Sequence, residues 1–379
     1  MKKLLNVRTI SQLAVLILVL VLTVRHMELG VEKAASIDAF CPFGGVESFL
    51  TYVTTGEFVR RINVSSFILL AIVLATTLFF GRVFCGFFCP LGTLQEWMRA
   101  LAKKMGIKNE IELPKNIDRF ARYIKYVVLV VIIYFSWKVE DLVFRNYDPY
   151  NALMHLGNEF EEKPVGYSIL GVVLAGSLFV KNWWCRYFCP LGAFLSIFRK
   201  MSPFTIKRNN NTCVHCETCD DTCIAGLEIE NQAEIKSADC VSCLRCAKDC
   251  PSSSLKLNVG KKEFSKKTFS WIVAWAFALL IIVAVISPLW KTKESFNIVT
   301  EKTGEVNMDN LRGSNTLKHV IETTGLPLSV FVEKLGIPEN IDPEIKLKDI
   351  GLKYQIKNSQ GALIETEDFR IVIEEELKK

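Results

Sequence analysis

The sequence has little of what several common functional classes require. Its four histidines, His26, His155, His215 and His319, are scattered and none sits mid-span, so a bis-histidine haem is not expected. Seven methionines form no run, and no His-rich tract offers a copper relay. Basic and acidic side chains nearly cancel, 46 against 40 for a net charge of +6, so the concentrated positive charge of a nucleic-acid binder is missing. Also missing is the short, evenly paired pattern of a secreted disulfide scaffold. Thirteen cysteines in 379 residues point instead to metal, redox or cluster chemistry.

What is abundant is apolar. Half of the residues are hydrophobic, and five segments approach the roughly 20 apolar residues that a bilayer crossing needs: 10–24, 62–80, 120–137, 166–180 and 269–290. Lys2, Lys3 and Arg8 precede the first as they would in a signal peptide, but Val24-Arg25-His26-Met27 offers no small-residue cleavage site. An uncleaved anchor over 1–36 is therefore expected. Lysine and arginine concentrate before the first span, between the second and third, and between the fourth and fifth, which places these regions in the cytoplasm and the tail, 291–379, outside. The expected fold is an α-helical polytopic membrane protein of about five spans, with a fifth span at 269–290.

The membrane part repeats itself. Cys41-Pro42-Phe43-Gly44, an apolar span and Cys85-Gly86-Phe87-Phe88-Cys89-Pro90-Leu91-Gly92 make one unit, 37–105. Asp148-Pro149-Tyr150-Asn151, a span and Cys185-Arg186-Tyr187-Phe188-Cys189-Pro190-Leu191-Gly192 make a second, within 120–201. Units running the same way across the membrane imply a pseudo-two-fold axis along its normal. That axis would gather Cys85, Cys89, Cys185 and Cys189 on the cytoplasmic side, as a candidate metal centre, and Cys41 with Asp148 on the outer side, as a weaker candidate ligand pair. On a helix, residues four apart share a face, so each CxxxC can aim both thiols at one centre. The neighbouring aromatics Phe79, Phe80, Phe84, Phe87, Phe88, Trp183, Trp184, Tyr187 and Phe188 are expected in an interface belt.

Between the fourth and fifth spans the pattern changes. Cys213, Cys216, Cys219 and Cys223 are spaced C-x2-C-x2-C-x3-C, and Cys240, Cys243, Cys246 and Cys250 repeat that spacing before Pro251. This is the bacterial two-cluster ferredoxin pattern, in which soft thiolates hold iron tetrahedrally and the fourth cysteine of each run serves the other cluster. Two [4Fe-4S] clusters are expected over 205–258, one on Cys213, Cys216, Cys219 and Cys250, the other on Cys240, Cys243, Cys246 and Cys223. Ile224 stands where a proline would follow the first run, so the two potentials are expected to differ. Reduced thiols belong in the cytoplasm, which agrees with the charge-based orientation.

Two CxxxCP motifs beside transmembrane helices, followed by a two-cluster ferredoxin segment, resemble the NapH/NosR-type membrane iron-sulfur proteins of nitrate-reduction and nitrous-oxide-reductase systems. The likeness covers roughly 37–257, including Cys41-Pro42-Phe43-Gly44-Gly45. It implies electron transfer between the quinone pool or cytoplasmic donors and an extracytoplasmic or membrane partner, as in a quinol dehydrogenase component, with Cys85, Cys89, Cys185 and Cys189 as required redox or metal positions. NosR-type members place a large flavin-binding domain ahead of their spans and nothing here supplies one, so a covalent flavin is not expected. Copper handling for enzyme assembly and membrane redox sensing are the alternatives.

The tail contains no cysteine and carries 13 basic and 16 acidic side chains, a balance of −3. Ser314-Asn315-Thr316-Leu317 reads as a helix start. Two short helices, 316–323 and 326–335, are expected around Gly325, followed by an extended segment at 369–373. A lone Lys334 on the second helix argues against DNA contact, leaving an extracytoplasmic docking or capping role.

Overall fold

The computed structural model describes residues 6–33, 41–55, 64–107, 110–111, 113–139, 143–156, 164–288, 290, 311, 313, 315–358 and 363–377. The beginning of the first repeat unit (37–40), the start of the second span (62–63), Ser314 and the stretch 291–310 lie outside them. The chain divides into two compact units, Met1–Lys293 and Glu294–Lys379.

The first unit opens with α1 (Val7–Lys33), which runs unbroken through 24–27. A short helix α2 (Pro42–Thr55) packs against the apolar α3 (Val64–Phe80), and a π-helical turn (Phe84–Phe88) leads into the amphipathic α4 (Pro90–Lys104). After α5 (Lys115–Ala121) and α6 (Ile124–Val139) the same order recurs. A short α7 (Pro149–Met154) packs against the apolar α8 (Pro164–Gly176), and a brief α9 (Trp183–Tyr187) leads into the amphipathic α10 (Pro190–Arg199).

Several helices are apolar, and among the described residues three stretches are long and apolar enough to cross a bilayer: Val7–Arg25, Lys115–Lys138 and Lys266–Ile286. The other two expected spans fold as shorter helices of 17 and 13 residues, about 25 and 20 Å at 1.5 Å per residue. The shortening of α8 has a visible cause. Trp183 folds back so that its indole N–H donates to Val173 O at 2.9 Å, and a Cβ on Gly176 would meet that nitrogen at 2.5 Å. The chain therefore turns at Gly176 instead of continuing to 180. Large apolar side chains such as Val130, Trp275 and Ile286 point outward, as lipid-facing residues do.

A small sheet follows: β1 (Phe204–Arg208), α11 (Thr218–Asp221), β2 (Glu234–Ile235), α12 (Arg245–Asp249), β3 (Leu255–Val259) and β4 (Lys262–Phe264). The strands run antiparallel in the order β2-β1-β3-β4, with Ile206 opposite both Ile235 and Leu257. These three side chains are buried. The hairpin to β4 extends the sheet past 258, the expected boundary. Then α13 (Lys266–Ile286) begins at Ser265, whose hydroxyl caps Thr268 N–H.

The second unit contains α14 (Leu317–Thr324), α15 (Leu328–Leu335), α16 (Leu347–Tyr354) and α17 (Thr366–Leu377). Thr316 caps α14, and Gly325 and Gly336 end α14 and α15 in the left-handed conformation. The extended segment expected at 369–373 is part of α17 instead. Phe369, Val372 and Ile373 are all buried, the i, i+3, i+4 spacing of a helical face, and this packing overrides the β-propensity of Ile371-Val372-Ile373.

Candidate iron-sulfur centres

The two cysteine runs of the ferredoxin segment are wrapped by matching backbone. His215 and Glu217 flank Cys216, Ser242 and Leu244 flank Cys243, and all four are left-handed, with φ between 50° and 59°. Non-glycine residues rarely adopt this conformation, and here it recurs at equivalent places and curls the two runs alike. The residue three beyond each fourth cysteine, Gly226 or Ser253, is left-handed as well. Cys223 lies with Cys240, Cys243 and Cys246, near enough for their charges to couple. Burial, then Cys243, pushes the Cys223 thiol up to about 12 despite the Leu227 N–H donated at 3.3 Å. An environment this costly for a free thiolate suits a thiolate neutralised by bound iron. At the first run Arg208 donates to Cys213 Sγ at 3.5 Å, and Asn209 N–H to Ser254 O at 2.9 Å holds the stretch after Cys250 beside it.

The CxxxCP motifs fold differently from the expected helical face. A residue before proline is driven from the helical to the extended region. Cys89 and Cys189 accordingly have ψ of 115° and 112° and become the N-caps of α4 and α10, with Pro90 and Pro190 as first helical residues. In both copies the second cysteine's N–H reaches back five residues, Cys89 to Phe84 O and Cys189 to Trp184 O, each at 2.9 Å. Gly92 and Gly192 do more than permit a turn, since their N–H groups donate to Cys89 and Cys189 Sγ at 3.5 and 3.3 Å.

The four thiols come together at one buried site. Burial raises the pKa of Cys89, Cys185 and Cys189, and the charges of the other thiols in the set raise each further. Among the described residues no three His, Cys, Asp or Glu side chains close in tightly enough for a single metal ion, and this holds equally for the ferredoxin runs. Donors surround the thiols: besides the two glycine N–H groups, Gln95 Nε2 lies 3.2 Å from Cys185 Sγ and an Arg82 nitrogen 4.0 Å from Cys85 Sγ. Arg82 Nε and Gln95 Oε1 are buried without hydrogen-bond partners among the described residues. Four thiols ringed by N–H donors fit an anionic thiolate-bound iron-sulfur group.

Buried charge joins this site to the ferredoxin segment. Arg82 also donates to Ser196 Oγ at 3.0 Å and Ala238 O at 3.2 Å. Asp239, next to Cys240, faces three cations: Arg82 at 3.7 Å, Arg122 at 3.2 Å, and Lys125 in contact. Arg199 from α10 donates to Cys240 O at 3.3 Å. A Cβ on Gly86, inside the first CxxxC, would stand 2.6 Å from Val241 O and 3.3 Å from Cys243 Cβ, so the second ferredoxin run rests directly on the π-turn. Arg82, Gln95, Asp239 and Arg199 are absent from a cysteine-based reading. The available signal was Lys125, a charge inside an apolar run.

Cys41 and Asp148 occupy equivalent places, each before the proline that opens a short helix. Both are buried. Asp148 accepts Tyr150 N–H at 2.9 Å as the cap of α7, and burial lifts its pKa to about 7. Burial, with the charges of Cys41, Cys89 and Asp148, raises the pKa of the Tyr150 phenol. The aromatic belt is also revised. Phe84, Phe87 and Phe88 are buried, with Phe88 stacked on Phe277 at 3.9 Å, because the π-turn packs inside the bundle.

Helices suited to a bilayer, joined to a ferredoxin-type cysteine segment, define a membrane-associated iron-sulfur protein. A family model described as a 4Fe-4S binding domain matches twice, at 62–108 and 163–209, each match enclosing one CxxxCP. Escherichia coli YccM, which is named for electron transport, is 27% identical over 66% of this chain and 71% of its own. An uncharacterized protein of Methanocaldococcus jannaschii is 32% identical over 59% of this chain and 89% of its own. The regulatory protein NosR of Pseudomonas aeruginosa is 32% identical over 48% of this chain but only 25% of its own. No solved structure matches. The chain belongs to the NapH/NosR-type family of membrane-bound 4Fe-4S electron-transfer proteins.

Proposed function

We propose that this protein carries electrons between two ferredoxin-type [4Fe-4S] clusters and a third centre held by Cys85, Cys89, Cys185 and Cys189, exchanging them with the quinone pool or an extracytoplasmic redox partner. The observation that carries this reading is the direct seating of the 241–243 loop on Gly86, which leaves Cys243 and Cys85 on neighbouring segments. Bound clusters supply one-electron storage. The residues of the chain hold them in line, keep water away and balance their charge: Arg82 and Arg199 serve the junction, while Asp239 pins the second run to α6. The ferredoxin segment is cytoplasmic and the second unit, 294–379, lies outside in this reading, consistent with the distribution of Lys and Arg. The stretches 37–105 and 120–201, with the ferredoxin segment from 205 carried past 258 to β4, mark its working parts.

The test replaces Cys85, Cys89, Cys185 and Cys189 together by serine. Anaerobically purified protein should lose part of its iron and one electron paramagnetic resonance signal while the ferredoxin signals persist. Unchanged iron and an unchanged spectrum would remove the third centre. Reduction of the clusters by a quinol analogue tests exchange with the quinone pool.

A further inference from the structure

A cavity of about 670 Å³ lies where the beginning of α1, the second ferredoxin run and the beginning of α13 meet. Cys243 and Leu244 line one part of it, Ile10 and Trp271 another, and much of the remainder is charged. Arg8 and Arg245 both bind Glu96, each at 2.5 Å, so their charge is partly balanced within the protein. Lys266 donates to Ala247 O. Lys248 and Lys267 are exposed at the same cavity, and their ammonium groups have no hydrogen-bond or ion-pair partner among the described residues. Asp249 is the remaining acidic group in the lining, so basic side chains outnumber acidic ones.

The level of the cavity narrows what could fill it. Val7 and Lys266 begin two of the stretches long enough to cross a bilayer, so a cavity between those two starts lies at headgroup depth. Trp271, half-exposed just over one turn into α13, is the residue type that collects there. A neutral ring would leave both ammonium groups unanswered. An anion carried on acyl chains would answer them and also cover Ile10 and Trp271.

We propose that this cavity binds the phosphate of an anionic phospholipid, held by Lys248 and Lys267, with its chains descending along α1 and α13. Cys243 lines the same space, so the phosphate would lie beside the cluster that Cys243 holds and make its potential more negative.

The test uses anaerobically purified, cluster-loaded full-length protein in neutral detergent. Short-chain phosphatidylglycerol, phosphatidylcholine of equal chain length and inorganic phosphate are titrated separately, with binding read by native mass spectrometry and cluster potentials by redox-poised electron paramagnetic resonance. One phosphatidylglycerol per chain should bind in preference to phosphatidylcholine and shift one ferredoxin signal. Affinity should fall roughly 30-fold in Lys248→Ala/Lys267→Ala, about fivefold for each basic residue at a membrane surface, with iron content unchanged. Phosphate binding as tightly as phosphatidylglycerol would overturn the lipid as occupant and leave a free phosphate-type anion. Equal binding of the two lipids, unchanged affinity in the double variant, or a quinone analogue that displaces the lipid without regard to either lysine would overturn the site itself.

Discussion

Arg82 is fully buried, and burial alone would lower its pKa, yet Cys85, Asp239 and Cys189 raise it. A cation held this way serves anionic neighbours. Arg82→Gln should therefore make the potential of the centre proposed at the four CxxxCP thiols more negative, on the order of 50–100 mV, with smaller shifts in the ferredoxin clusters. A redox titration followed by electron paramagnetic resonance reads both. Asp148 supports a second prediction. Its folded pKa of about 7 stands above the ordinary 3.8, so the folded state keeps a proton that the unfolded state has lost. Stability from this group is complete below pH 3.8 and is lost as pH rises through 7. Asp148→Asn keeps a side-chain oxygen for the cap but cannot ionise. Raising the pH from 5.5 to 8 should destabilise the wild type relative to this variant by about 2 kcal/mol, seen as a diverging pair of thermal unfolding curves. The regular spacing of the eight ferredoxin-type cysteines is legible in the sequence itself. Arg82, Gln95 and Asp239 are not, because a single polar residue has no period, and their partners lie as far as 156 positions away.

Helices and turns were legible where one local rule governs them. Thr316 and Gly325 bracket α14 as a cap and a stop should, whereas α17 was misread because its β-branched run outweighed a three-residue buried face. Phe369→Ala should remove a wholly buried ring and cost roughly 3–5 kcal/mol, opening 311–377 to limited proteolysis. The π-turn was hidden for another reason: CxxxC spacing fits both a helical face and the looser turn, and Pro90 decides between them by expelling Cys89 from the helix. Gly86 then bears the ferredoxin loop. Gly86→Ala should push the 241–243 segment outward, at roughly 1–3 kcal/mol. The cluster of Cys240, Cys243 and Cys246 should become more labile on heating than the one served by Cys213, Cys216 and Cys219, followed by loss of visible absorbance and of each resonance signal.

At the scale of the whole molecule, the junction between apolar helices and ferredoxin segment is where the structure adds most to the sequence: Arg82 from the turn after α3, Lys125 from α6 and Arg199 from α10 each reach residues 238–240. Which way this junction faces is a matter of charge: a membrane protein keeps Lys-rich and Arg-rich loops inside, and the ferredoxin segment is flanked by Arg199, Lys200, Lys207 and Arg208 before its first run and by Lys261, Lys262, Lys266 and Lys267 after its second. In the topology proposed above, α13 crosses the membrane once and residues 294–379 lie outside. Asn210 and Lys353 are exposed representatives of the two regions. Lys353→Cys should react with a membrane-impermeant maleimide on intact cells, and Asn210→Cys only after the membrane is opened. Labelling of both positions from outside, or of Asn210→Cys alone, would reverse the assignment and place the ferredoxin clusters where newly made iron-sulfur proteins would not be loaded.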